Sequence, residues 1–265
     1  MPIASKSVKG KQRIADDSFD FLLLPKYETD IMSEVRVKGG DGLLSSDWHV
    51  PLTDPRIVVA SVREARRRKA TDWLVGAGDI FNFDVLSDYL PKQSDHSLND
   101  EIRIARKMLK MLLGVFDHVY ITMGNHDIRL QKRLGYTLKF EDSMELVFAG
   151  LGSALDRVTF TGRDYVIVES DEGPYRVAHT RDYRKGQLSV ASEVADIHRC
   201  HTFVGHAHHH AIGHSKSGYR IGDLGGWFNS DKTSYLKRWT STHPRWQPGD
   251  FILKNGVPYS RVLSG

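Results

Sequence analysis

Between Leu43 and Thr122 the chain alternates short apolar runs with helical patterns, and this rhythm limits its possible folds more than any other feature. Leu43-Leu44 starts the first run, Trp73-Leu74-Val75 is the second and Val119 to Thr122 the third. Asp54 before Pro55 reads as an N-cap followed by proline at the first helical position, opening a helix to about Ala70 with Val58, Val62 and Ala65 on one face. Ser97 with Asp100 three residues later resembles a capping box, and Ile102, Ala105, Leu109, Leu112 and Phe116 recur at helical spacing around a stop near Gly114. Strand, helix, strand, helix, strand is the pattern of crossover units, so a largely parallel, twisted sheet is expected in this half. Ligands bind such sheets at the carboxyl ends of the strands.

Those ends carry polar chemistry. The first run leads into Asp47-Trp48-His49, where alternation along an extended chain would aim both polar side chains the same way. The second leads into Gly78-Asp79-Ile80-Phe81-Asn82 and the third into Met123-Gly124-Asn125-His126-Asp127. Read alone, Gly-Asn-His-Asp could be a turn, since three of its residues suit turns. Beyond it, helices are expected over Ile128 to Leu134 and Ser143 to Leu151. Strands follow at Val158 to Phe160, Tyr165 to Glu169 and Tyr175 to Ala178, the last running into His179. A helix from Leu188 to Ile197 precedes a short strand, Thr202 to Val204, which runs into Gly205-His206-Ala207-His208. Lys254-Asn255-Gly256-Val257 is a hairpin-turn signal.

Upstream, residues 1–18 read as a flexible arm and 19–265 as a single domain, with Phe19 to Leu24 as a first strand and Val35/Val37 as another before the Gly39-Gly40-Asp41-Gly42 turn. The net charge of +4, from 37 basic and 33 acidic residues, is too small to argue for nucleic-acid binding. Arg63, Arg66, Arg67, Arg68 and Lys69 are accordingly read as a solvated helix face before a nucleic-acid groove. One cysteine, Cys200, and no signal-like or membrane-length apolar run point to the cytoplasm and to no membrane partner.

Collected in order, the strand-end groups are Asp47, His49, Asp79, Asn125, His126, Asp127, His179, His206 and His208. Carboxylate, imidazole and amide donors without thiolate suit a hydrolytic metal site better than a structural zinc site. Without His126 and Asp127, seven direct-ligand candidates are still too many for one open metal; two metals about 3.5–4 Å apart and sharing a carboxylate would use all seven.

At this point the sequence resembles the calcineurin-like metallophosphoesterase superfamily: Asp-x-His, Gly-Asp, Gly-Asn-His-Asp, a lone His and Gly-His-x-His occur in order from Asp47 to His208. The resemblance implies an α/β (α+β) fold, a four-layer β-sandwich flanked by α-helices, with a binuclear metal centre on the loops at the strand ends. It implies that Asp47, His49 and His208 ligate one metal, that Asn125, His179 and His206 ligate the other, and that Asp79 bridges them. It also implies that His126 is a catalytic histidine that stabilises the transition state or protonates the leaving oxygen, with Asp127 orienting it. Two divalent ions are expected, manganese first, with iron, zinc, magnesium, nickel or cobalt as alternatives.

The implied reaction is hydrolysis of a phosphoester by attack of a metal-bridging water or hydroxide. Gly78-Asp79-Ile80-Phe81-Asn82-Phe83 lacks the Gly-Asp-x-Val-Asp-Arg-Gly of protein phosphatases in the superfamily and looks more like its phosphodiesterase and nuclease branch, although Asn82 stands where that branch commonly has Asp or His. A phosphodiesterase acting on nucleic acid or a nucleotide is therefore expected, with a phosphomonoesterase or nucleotidase second and a non-catalytic interaction scaffold third. Arg129, Arg181 and Trp48 are the candidate substrate contacts, with Arg133, Lys185, Trp227 and Phe228 as further candidates.

Overall fold

The computed structural model describes residues 33–88, 96–182, 184, 186–229 and 246–262. The expected arm over residues 1–18, the Phe19 to Leu24 strand and Lys185 lie outside the described residues. Glu34 to Gly265 forms one compact unit.

Period-two alternation along the strands decides the layering. One six-stranded sheet runs in the order β12 (Val257–Val262), β11 (Gly249–Lys254), β2 (Gly42–Ser46), β3 (Trp73–Ala77), β4 (His118–Thr122), β5 (Val158–Thr161). From β2 to β5 the pairing is parallel, and β11 runs antiparallel to both of its neighbours. The second sheet has the order β1 (Arg36–Val37), β6 (Tyr165–Val168), β7 (Tyr175–His179), β8 (His201–Gly205), β10 (Arg220–Leu224), β9 (His210–His214). It pairs parallel from β7 through β8 to β10.

Leu43, Leu74, Val119, Ile121 and Ile252 of the first sheet pack with α1 (Pro55–Arg68), α2 (Leu98–Leu113) and α4 (Phe140–Phe148). Their neighbours Leu44, Trp73, Val75, Phe251 and Leu253 point the other way and meet Val166, Val168, Tyr175, Val177 and Phe203 of the second sheet. Ala178, Val204 and Ile221 on the far face of that sheet pack on Ala191 and Ala195 of α5 (Ser189–His198). The result is four layers, helices, sheet, sheet, helix, as the sequence resemblance implied.

The helix signals act locally as expected. The Asp54 carboxylate accepts from the Arg56 N–H at 2.9 Å, and Ser97 with Asp100 forms a reciprocal capping box. Arg67 and Arg68 pair with Glu64, and Arg68 also lies over the Tyr259 ring. Two of the cations on that helix face are therefore taken up by the protein itself. Asn255 and Gly256, at φ 50° and 71°, turn the β11–β12 hairpin in the left-handed region.

Other expectations need correction. The helix expected over Ser143 to Leu151 begins earlier, at buried Phe140, and gives way to 3₁₀ turns from Ala149 to Arg157, where Gly152 takes a non-helical φ of 55° and ψ of −139°. Strands β9 and β10 were not expected, because glycine, histidine and a charged residue dilute their strand preference; tertiary pairing with β8 and with each other overrides it. Among the described residues, no helix is long and apolar enough to cross a membrane.

Phe203 is fully buried between the sheets, edge-on to Phe251 at 4.8 Å. Phe203→Ala should destabilise the protein by about 3–5 kcal/mol in urea titration, the range for emptying an aromatic core position.

Candidate metal centre

Asp47 follows the last residue of β2, Asp79 follows β3 by two residues, and Asn125 and His126 follow β4; His179 ends β7 and His206 follows β8. The parallel register aligns these ends, so donors far apart in sequence gather where the edges of the two sheets meet. Asp47 and His49 are not on an extended strand as the sequence suggested. Both have φ 46°, and Asp79, His206 and His208 are also left-handed at 52°, 86° and 56°. Such backbone is uncommon for non-glycine residues, and its clustering marks a site whose side chains are aimed at some cost in strain.

Gly124 fits through close approach: a Cβ there would sit 2.1 Å from the Asp79 nitrogen. Its neighbour across the gap, Gly78, combines φ 67° with a position where a Cβ would come 2.6 Å from the His179 Cβ. Side chains at either place would push the second and third loops apart.

Each carboxylate is anchored through one oxygen and leaves the other to the cluster. Asp47 Oδ2 accepts the His206 N–H at 3.0 Å, and Asp79 Oδ1 accepts the His126 N–H at 2.7 Å. Asp47 Oδ1 lies 3.0 Å from His208 Nε2, 3.5 Å from His179 Nε2 and 3.7 Å from His49 Nε2. Asp79 Oδ2 lies 3.2 Å from His179 Nε2, 3.8 Å from His49 Nε2 and 4.0 Å from His126 Nε2.

Burial would raise the carboxyl pKa values, but the surrounding histidines overcome it. Asp47 is held well below the usual range, chiefly by His208, and Asp79 is also lowered, chiefly by His179. The same pairing raises His179 against its own burial, through Asp79 and Asp47.

The donor set fits divalent cations. Asp47, His49 and His208 form one group, and Asp79, His179 and His206 another, with the ligand atoms in each lying within 4.8 Å of one another. Among the described residues, Asp47 Oδ1, Asn125 Oδ1 and both His179 nitrogens are buried without a hydrogen-bond partner. Leaving so many polar atoms unsatisfied is costly unless they share a ligand. A third group, His49, Asp79 and His126, places His126 beside Asp79.

Residues 43–232 match the calcineurin-like phosphoesterase family. The chain belongs to this family. That stretch includes every strand-end donor, and the two donor groups accord with the pair of divalent metals that family members typically bind. No curated protein matches the chain. Among solved structures, a Thermotoga maritima protein determined by solution NMR is 14% identical with a TM-score of 0.38, covering 85% of this chain and 99% of that one.

Several expected roles change in this calcineurin-like phosphoesterase. Asp127 does not orient His126: its Oδ1 accepts from Phe81 N and its Oδ2 from Gly124 N, both at 3.0 Å, so it ties the second and third loops together. The His126 ring is instead held by the Asn82 carbonyl, which accepts from Nδ1 at 2.8 Å. Trp48 is not a substrate contact, being 1% exposed and stacked on Trp227 at 5.1 Å. Trp227 is itself buried, donating from Nε1 to Asp250 at 2.9 Å. Phe228 walls the cluster, with its ring 4.3 Å from that of His208. Arg133 is taken up by Asp88 and the Leu86 and Ser87 carbonyls. Arg181 is exposed. His210 faces Ser260 and stacks on Phe251.

Arg129 does lie beside His126. Its Nη1 donates to the Asn82 carbonyl at 2.7 Å and to Asp84 at 3.0 Å, and its Nη2 approaches His126 Nε2 at 3.3 Å. Behind this loop Glu101, fully buried on α2, accepts the Phe83 N–H at 2.8 Å. Sequence reasoning missed Glu101; an acidic residue one position before apolar Ile102 in a half-buried helix was the available signal.

Burial pushes the Glu101 carboxyl up from about 4.5 to about 7, so the folded protein retains a proton there that the unfolded chain has lost. This contribution to stability is present below pH 4.5 and is lost as the pH rises to about 7. In urea titrations of the metal-free protein, the wild type should lose stability relative to Glu101→Gln between pH 5 and 8. Parallel curves would contradict this.

Proposed function

We propose that this calcineurin-like phosphoesterase hydrolyses phosphodiesters, in nucleic acid or a nucleotide. Asp47, His49 and His208 would hold one divalent cation, and Asn125, His179 and His206 the other, with Asp79 shared; manganese is the first choice. The observation that carries this reading is the convergence on Asp79 Oδ2 of His179, His49 and His126 at 3.2, 3.8 and 4.0 Å. When bound, a pair of such cations offsets charge on phosphoryl oxygens and brings the pKa of water toward neutrality.

The chain's own groups supply the rest. Burial pushes the His126 pKa down to about 3, so the resting imidazole is neutral, with Nδ1 donating to Asn82 and Nε2 available on the Asp79 side. A negatively charged phosphoester arriving opposite Nε2 favours the imidazolium, which then has a proton to give the leaving oxygen. Arg129 adds a cation next to that nitrogen, but it shares its charge with Asp84. One partly offset cation suits a singly charged diester better than a dianionic monoester. The Gly78-Asp79-Ile80-Phe81 and Gly124-Asn125-His126-Asp127 segments support the same branch.

Purified protein with manganese should hydrolyse bis-p-nitrophenyl phosphate in preference to p-nitrophenyl phosphate. Cleavage of the monoester alone would overturn the diester reading in favour of a phosphomonoesterase. Cleavage of neither with manganese, iron, zinc, magnesium, nickel or cobalt would leave a binding scaffold.

His126→Ala should lose turnover by roughly 100-fold or more while keeping its metal, the scale of general acid–base catalysis. Asp79→Asn should lose metal itself, measured by atomic emission on the dialysed protein. Equal metal loss in both would overturn this division of roles.

A further inference from the structure

We infer that Glu101 is a positioning residue for His126, acting through the peptide group that joins Asn82 to Phe83. The inference rests on the proposed role of His126 in the reaction.

That one peptide is gripped at both ends. Its carbonyl accepts His126 Nδ1 at 2.8 Å and Arg129 Nη1 at 2.7 Å, while its N–H donates to Glu101 Oε2 at 2.8 Å. Phe83 has φ 46°, a left-handed conformation that a phenylalanine does not adopt by preference, so the orientation of the peptide must be imposed by what holds it. His126 and Arg129 hold it at the carbonyl; on the Phe83 side it is held by the Glu101 carboxyl and by the stacking of the Phe83 ring on Phe81 at 4.4 Å and 4°.

Glu101 has little else to do. It is fully buried, and Ala105 and Leu109 follow it on the buried face of α2. Among the described residues its Oε1 has no hydrogen-bond partner. An acid enclosed in a core is destabilising where an apolar residue of similar size would pack, so purely structural packing does not explain it. Its raised pKa expresses the same cost.

Accepting the Phe83 N–H polarises the amide and makes the Asn82 oxygen a stronger acceptor. That oxygen holds the proton on His126 Nδ1 and leaves Nε2 between Arg129 Nη2 at 3.3 Å and Asp79 Oδ2 at 4.0 Å. Carboxyl, peptide and imidazole thus form a line in which a peptide stands between the acid and the histidine it orients. The acid next to His126 in sequence, Asp127, is unavailable for this because both its oxygens are spent on Phe81 and Gly124.

The test compares Glu101→Met, which keeps the volume and removes the acceptor, with Glu101→Gln, which keeps an acceptor and cannot ionise. Both are made in the full chain and in the His126→Ala background, with folding checked by thermal melting. With manganese and bis-p-nitrophenyl phosphate, Glu101→Met should lose kcat roughly 10- to 100-fold with KM within about twofold, the scale for removing an outer partner of an active-site histidine. Glu101→Gln should recover most of that loss. In the His126→Ala background neither substitution should change turnover more than about twofold.

Independently of turnover, ¹⁵N NMR of the metal-free protein should report His126 as the Nδ1–H tautomer in the wild type and as a mixture in Glu101→Met. Equal losses of kcat in both backgrounds, or an unchanged tautomer, would overturn the inference. If Glu101→Met does not fold, Glu101→Asp, which keeps the acid but withdraws it from the Phe83 N–H by one methylene, decides by the same kcat comparison and tautomer measurement, and equal losses in both backgrounds or an unchanged tautomer overturn the proposal. Full turnover in His126→Ala would refute the histidine's role instead, and the tautomer measurement would still decide whether Glu101 positions the ring.

Discussion

Two carboxylates closed off from water, Asp47 and Asp79, are the constraint to which the rest of the structure answers. Buried negative charges are tolerated only with compensation close by, and here it comes as a ring of histidines within 3.0–4.0 Å. Neither sheet could supply that ring by itself. The carboxylates come from the ends of β2 and β3, His126 from beyond β4, and His179 and His208 from the end of β7 and beyond β8 of the opposite sheet. The sandwich core packed on Phe203, Phe251 and Tyr175 therefore does more than stabilise the fold. It sets the distance between two halves of one site.

Aiming so many donors at one place has a local cost. Asp47, His49, Asp79, His206 and His208 all sit in the left-handed region, at about 1–3 kcal/mol each for strained backbone. Backbone hydrogen bonds across the loops hold them there: Asp47 N donates to the Gly78 carbonyl, His49 N to the Asp79 carbonyl and Val50 N to the Ile80 carbonyl. The first loop is thus laid against the second, and Asp127 fastens the second to the third. The site is a stack of loops that fix one another, which is why its side chains tolerate unfavourable φ angles.

The segment from Asp79 to Phe83 shows how few residues can carry several tasks. Asp79 turns a carboxylate oxygen to three histidines, Phe81 receives the Asp127 tether through its N–H, Asn82 offers its carbonyl to His126 and Arg129, and Phe83 is held by Glu101. Only the first of these tasks depends on the identity of the side chain that carries it. The others use backbone atoms, which any residue would present, and they depend on the path of the chain.

That difference explains what was readable in advance. Asp47, His49, Asp79, Asn125, His126, His179, His206 and His208 were legible as candidate donors because metal chemistry needs particular donor atoms, and those atoms belong to side chains spelled in the sequence. The parallel strands and their capped helices were legible for the same reason, since Asp54-Pro55 and Ser97 through Asp100 act through local side chains. The burial of Trp48 against Trp227, the use of Asp127 as a tether and the hold of Asn82 on His126 were not legible. Each joins residues brought together by the meeting of loops and layers, often through main-chain atoms that no residue letter distinguishes. By itself the sequence determined which donors exist and that they end strands. Only the tertiary structure decided which of them face one another, because that depends on register, sheet packing and left-handed turns enforced by contacts far away along the chain.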